Sequence, residues 1–123
     1  MESIELDLES FDCLEAPKCR THFDFPVVSF FYNPSASNMT AIFNKPASFE
    51  LGDTKYMHVY LKGNWLVFVP TNTLNTKSFK IIRMGKAGCR MSVTSFTKFG
   101  VMDKRFKLYK AKNGYAIKLN EPL

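Results

Sequence analysis

The chain lacks long apolar stretches. No run of 18 apolar residues occurs in its 123 positions, so no membrane-spanning helix is expected. Histidine is scarce, with only His22 and His58, and cysteine is an odd three: Cys13, Cys19 and Cys89. The chain starts MESIELDLESFD, without the basic-then-apolar order of a secretory leader. The expectation is therefore a cytoplasmic protein with reduced thiols and no membrane partner. A zinc site needs about four ligands at close spacing. Cys13 and Cys19 with nearby His22 leave the fourth unfilled, so no metal or other cofactor is expected. Catalytic signatures are missing too: no G-x-S-x-G, H-E-x-x-H, P-loop or dinucleotide fingerprint appears. The turn Gly85-Lys86-Ala87-Gly88 lacks the spacing of a phosphate-binding loop. His58 reads as an outward-facing structural residue in mid-strand. An acid pair would have to come from Asp53 and Asp103, which follow the two short helical segments and read as turn or cap residues. A non-enzymatic protein is the expectation.

Apolar residues make up 46% of the chain and aromatics 15%, twelve of them Phe. That suffices for one packed domain rather than global disorder. Charge is unevenly placed. Residues 1–25 hold seven acids against Lys18 and Arg20, a net of −5. Residues 26–70 net +1, and residues 71–123 hold twelve bases against Asp103 and Glu121, a net of +10. This asymmetry points to an anionic partner or to an acidic arm lying over a basic face.

Two segments share one order of elements. Residues 27–70 read VVSFFYN, PSASN, MTAIFN, KPASFELGD, KYMHVYLK, GN, WLVFVPT. Residues 79–119 read FKIIRM, GKAG, CRMSVT, SFTKFGVMD, KRFKLYKAK, NG, YAIKL. Each is strand, turn, strand, short helix, hairpin. A unit this small cannot bury its own apolar face, but two packed together can. Asn113-Gly114 is read as a type I′ turn, and Gly63-Asn64 plays the same part in the first unit. Asn44 is read as an N-cap with Pro46 in the first turn and Gly52 at the end; Ser95 is read as the second cap, with Gly100 near the end of its helix. Ala47, Phe49 and Leu51, and Phe96, Phe99 and Val101, are expected to dock these helices. In the last hairpin Phe106, Leu108, Tyr115, Ile117 and Leu119 fall on one face. Arg105, Lys107 and Lys118 share the other with Tyr109 and Ala116. Residues 71–78 read as the connector. Alternating Ile4, Leu6, Leu8 and Phe11 read as an edge strand, and residues 13–26 as an irregular link.

This pattern resembles the swapped-hairpin barrel of AbrB-type transition-state regulators and MraZ proteins, in the tandem form of small bacterial proteins carrying two such units. The resemblance rests on Thr40-Ala41-Ile42-Phe43-Asn44-Lys45-Pro46, Leu51-Gly52-Asp53 and the hairpin running to Pro70. It covers roughly 27–119. It implies a mostly-β, pseudo-two-fold swapped-hairpin β-barrel built from both repeats over residues 26–123, with 1–25 as an irregular acidic arm. It also implies DNA binding and transcription regulation through arginines flanking the first turn. Arg83 and Arg90 have the family's seven-residue spacing, and Lys86 lies in the turn. The first unit has Tyr32, Pro34 and Thr40 there and no arginine, so the implied grip is one-sided.

The candidate DNA-binding residues are therefore Arg83, Lys86 and Arg90, with Lys80, Lys104, Arg105 and Lys107 as further electrostatic contacts. Gly85 and Gly88 would let backbone approach a phosphate. The same cations could instead be a solvated face. Tyr109, among Lys107 and Arg105, is a candidate stacking ring. Trp65 closes the barrel or recognises a ligand at the surface. The competing function is a protein-binding adaptor or inhibitor, antitoxin-like or phage-derived, with an acidic protein as partner. A monomer or a homodimer fits either reading.

Overall fold

The computed structural model describes residues 3–12 and 23–123, without the side chains of Leu8 and Lys86. Cys13, Cys19 and His22 lie outside the described residues. The chain is mostly β, arranged as two antiparallel five-stranded sheets. Its strands are β1 (Val27–Asn33), β2 (Asn38–Phe43), β3 (Tyr56–Lys62), β4 (Trp65–Thr71), β5 (Phe79–Lys80), β6 (Ile82–Arg83), β7 (Cys89–Ser92), β8 (Arg105–Lys107), β9 (Tyr109–Ala111) and β10 (Gly114–Lys118). The first sheet has the order β6-β7-β2-β1-β8 and the second β5-β3-β4-β10-β9.

Each sheet mixes strands from both segments. In the first, β2 pairs with β7, Phe43 opposite Cys89, and β1 pairs with β8, Val28 opposite Phe106. In the second, β4 pairs with β10, Phe68 opposite Tyr115. One core results. It takes Phe30, Met39, Phe43, Met57, Leu66 and Phe68 from the first segment and Met91, Val93, Phe96, Phe106, Leu108 and Ile117 from the second. Phe43 and Phe68 meet edge to face across the two sheets, 5.5 Å between centroids. Such a pair adds about 0.5–1.5 kcal/mol beyond its buried area.

The expected single closed barrel is not what forms. The segments 79–83 and 105–111 each break at one buried residue, Ile81 and Leu108. There the chain leaves one sheet and enters the other. The N–H of Ile81 donates to Lys55 O (2.9 Å) and that of Leu108 to Pro26 O (3.0 Å). Their backbone is satisfied, but the ladder is interrupted.

The helix α1 (Lys45–Leu51) forms as read. Asn44 Oδ1 accepts from Ala47 N–H at 3.1 Å and also from Val27 N–H at 3.0 Å. Its Nδ2 donates to Phe25 O at 2.9 Å. The one side chain thus caps the helix and ties it to the entry of β1. Gly52 ends it at φ +60°. Ala47 and Leu51, four apart, face the core, whereas Phe49, half a turn round, is 85% exposed. Its expected docking does not occur. The second helical piece is a 3₁₀ segment, Thr94–Phe99, entered from Val93 with no side-chain cap, so Ser95 is not one; Gly100 closes it in the left-handed region. Phe96 is buried there and Phe99 partly so.

Two further expectations change. The last hairpin turns through Lys112-Asn113, because Ala111 pairs with Gly114. Gly114 keeps an ordinary φ. Its missing Cβ is required because the Phe68 carbonyl of β4 occupies that space. Residues 3–7 form no strand. Asp7 accepts from Glu9 N–H through Oδ1 (3.2 Å) and from Ser10 N–H through its carbonyl (3.1 Å), which winds Leu8–Ser10 into a 3₁₀ turn. Ile4, Leu6 and Phe11 stay exposed. The apolar alternation finds no partner strand among the described residues, and the local Asp turn sets the backbone there.

Candidate nucleic-acid interface

Alternation along the strands sorts the basic residues onto faces. Residues opposed in an antiparallel ladder share a face. Across the first sheet Ile82 opposes Arg90, Arg90 opposes Ile42, Ile42 opposes Ser29, and Ser29 opposes Arg105. One row of the exposed face therefore carries Arg90 near one edge and Arg105 at the other. With strands about 4.8 Å apart, their backbones stand roughly 14 Å apart. Lys107 follows Arg105 on the same side of β8 and is exposed. Lys104 precedes β8. It borders a 300 Å³ depression with Ser29, Asp103, Arg105 and Leu123. Asp103, at φ +57°, accepts from Tyr32 N–H at 3.3 Å and so acts as a turn residue.

Arg83 is elsewhere. It opposes Cys89, whose side chain is buried, so it lies on the face opposite Arg90. Its guanidinium donates to Ser48 Oγ (3.1 Å), Thr54 O (2.9 Å) and Gly52 O. These are the carbonyls and hydroxyl at the C-terminal end of α1, where a cation is favoured. The seven-residue spacing of Arg83 and Arg90 thus brackets one turn without bringing the two side chains together. Lys80 lies in the second sheet opposite Tyr56. The backbone of Lys86 sits in the 3₁₀ turn Gly85–Ala87; its side chain lies outside the described residues. Gly88, at φ +107°, faces the backbone of Phe43 and Asn44. The protein itself fills the space where a phosphate was expected. Gly85 (φ +62°) has nothing near its Cβ position.

Two titratable groups near this end are displaced. Burial pushes the Cys89 thiol up, partly opposed by Ser48 and Arg83. Burial, then the Glu50 carboxylate, pushes the Tyr115 hydroxyl up; that hydroxyl donates to Glu50 O at 3.1 Å. His58 Nε2 lies 3.1 Å from Ser78 Oγ. Among the described residues no three His, Cys, Asp or Glu side chains cluster as a metal site requires, and no helix is long and apolar enough to cross a membrane.

The outer face of the second sheet holds what the charge map missed. Tyr60 and Lys62 alternate outward with His58 while Met57 and Val59 pack on the core. The signal was present in YMHVYLK, since Tyr60 stands three residues from the turn that carries Trp65 to the neighbouring strand. Tyr109 and Trp65 meet edge to face at 5.7 Å. Lys107 Nζ lies 5.4 Å from the Tyr109 ring centroid and Lys118 Nζ 5.7 Å from that of Trp65. The only ion pair among the described residues joins Lys118 to Glu121, at 3.1 Å. No protein-family model, curated protein or solved structure matches the chain.

Proposed function

We propose that this chain is a non-enzymatic DNA-binding protein, a transcription regulator, that lays the exposed face of its first sheet against duplex phosphates. The observation carrying this is the cross-sheet row that carries Arg90 near one edge and Arg105 at the other, continued by Lys107, with no carboxylate paired to any of them among the described residues. Arginine suits phosphate through its planar fork of donors, and Ser29, Thr40 and Ser92 on the same face add neutral donors. The finer fold reading, two exchanged-hairpin copies related by a pseudo-two-fold, is part of the same proposal. It is supported by reciprocal pairings: β2 with β7, β4 with β10, and β1 with β8 matched by β3 with β5.

The test is a titration of the protein with a labelled mixed-sequence duplex at several salt concentrations. Each phosphate neutralised contributes about −0.9 to the slope of log K against log salt. Three or four contacts predict a slope of about −3. A duplex that shows no salt-sensitive binding sinks the proposal. A protein-binding adaptor is the second reading. It is favoured by Phe49, 85% exposed on α1, and by the exposed Ile82 on β6, apolar side chains that a protein partner could cover.

A further inference from the structure

The outer face of the second sheet is a separate surface of different chemistry. Tyr60 opposes Val67, Val67 opposes Ala116, and Ala116 opposes Tyr109. A ring thus stands at each end of an apolar row. In the next row Trp65 lies between Lys62 and Lys118. The three rings are 55%, 38% and 39% exposed for Tyr60, Trp65 and Tyr109. Trp65 and Tyr109 border an open groove of about 450 Å³ floored by Val67 and Ala116 and flanked by Lys62 and Lys110, and Tyr60 stands beyond Val67 at the far end of its row.

We propose that this face binds single-stranded nucleic acid, stacking unpaired bases on Trp65 and Tyr109 in the groove and on Tyr60 beside it while Lys62 and Lys110 meet the phosphates. Three observations favour that occupant. The edge-to-face contact of Trp65 with Tyr109 uses at most one face of one ring, and the lysines over the two rings, Lys118 on Trp65 and Lys107 on Tyr109, are long side chains that a base can displace, while the Tyr60 ring is 55% exposed. The surrounding charge is of one sign, apart from Glu121 paired to Lys118, which matches a polyanion. The floor is small and apolar, so a flat base can descend to the rings. Stacking on exposed aromatics tolerates any base, whereas a duplex keeps its base faces covered. The surface is therefore distinct in ligand from the arginine row, and it stands whether or not that row binds DNA.

Trp65 is the only tryptophan, so its fluorescence reports on this face directly. The probes are dT12, U12 and a twelve-unit abasic strand of equal charge. Quenching by dT12 or U12, lost with the abasic strand, is expected; the two base-carrying probes separate DNA from RNA as the source. The double substitution Tyr60→Ala with Tyr109→Ala should weaken binding about tenfold or more, from roughly 1–3 kcal/mol per stacked base. Both residues are exposed, and an unchanged circular dichroism spectrum checks that the variant folds. Lys62→Gln with Lys110→Gln should flatten the salt dependence while leaving quenching at saturation intact. Equal quenching by the abasic strand or by polyglutamate overturns the proposal. So does a Tyr60/Tyr109 variant that binds dT12 and U12 like the parent. Loss of strand binding in Arg90→Gln with Arg105→Gln but not in the tyrosine variant would move the ligand to the other face and overturn it equally.

Discussion

Replacing Gly88 by alanine should be among the most damaging single-methyl changes available to this protein. Gly88 sits at φ +107°, ψ −142°, a region essentially closed to side chains, and strain there costs about 1–3 kcal/mol. A Cβ would also collide with the Phe43 carbonyl and the Asn44 backbone. Those atoms cannot retreat freely. Phe43 is laddered to Cys89, Asn44 caps α1, and Gly88 O accepts from Met84 N–H at 2.9 Å. Adding the forced shift brings the expected loss to about 3–5 kcal/mol, a large share of the roughly 5–15 kcal/mol that holds a domain together. In urea, with a slope of about 2 kcal/mol per molar, the midpoint should fall by about 1.5–2.5 M. Gly100→Ala is the control: φ is +68° but the Cβ meets open space, so only about 1–2 kcal/mol of left-handed cost is expected. A Gly88→Ala protein no less stable than Gly100→Ala refutes the close-approach argument. If it also lost DNA binding, the glycine would belong to a phosphate site instead.

Asn44→Ala removes a cap, the acceptor for Val27 N–H and the donor to Phe25 O; a loss of about 2 kcal/mol in urea unfolding is expected. Arg83→Ala should lower stability by about 1 kcal/mol, given its solvent-exposed bonds to the end of α1, and leave the duplex salt slope unchanged. The raised Tyr115 hydroxyl stabilises the fold fully below the ordinary tyrosine value of about 10, and that contribution fades as pH rises through the folded value. Urea stability measured from pH 9 upward should therefore decline less steeply in Tyr115→Phe.

Locally encoded features were legible in the sequence. The β1–β2 and β3–β4 hairpins and the Asn44 cap each depend on neighbours within a few residues. Features set by a distant partner were not. The last hairpin, read as one pair of faces, is split because Arg105 and Lys107 pair with β1 in the first sheet and Tyr109 with β10 in the second. The breaks at Ile81 and Leu108 fall on apolar residues that continue the strand alternation, and they exist because the chain must pair with two different sheets. Gly114 reads as a turn glycine but answers to β4. The alternation of Ile4, Leu6 and Phe11 needs a neighbouring strand, and none is there among the described residues. Arg83 and Arg90 look alike in spacing, yet the intervening turn sends them to opposite faces. Of the candidate site, Arg90, Arg105 and Lys107 share one exposed face. Tyr60 and Lys62 escaped notice because a search for positive charge passes over a strand with one lysine.

If the arginine row holds duplex DNA as proposed, Arg90→Gln with Arg105→Gln should bind it with a smaller salt slope than the parent protein. Removing two phosphate contacts should reduce the slope of log K against log salt by about 1.8, with unfolding in urea unchanged. A double variant that binds the duplex with the parent's slope and affinity would place the DNA on a surface other than the arginine row, against the proposal.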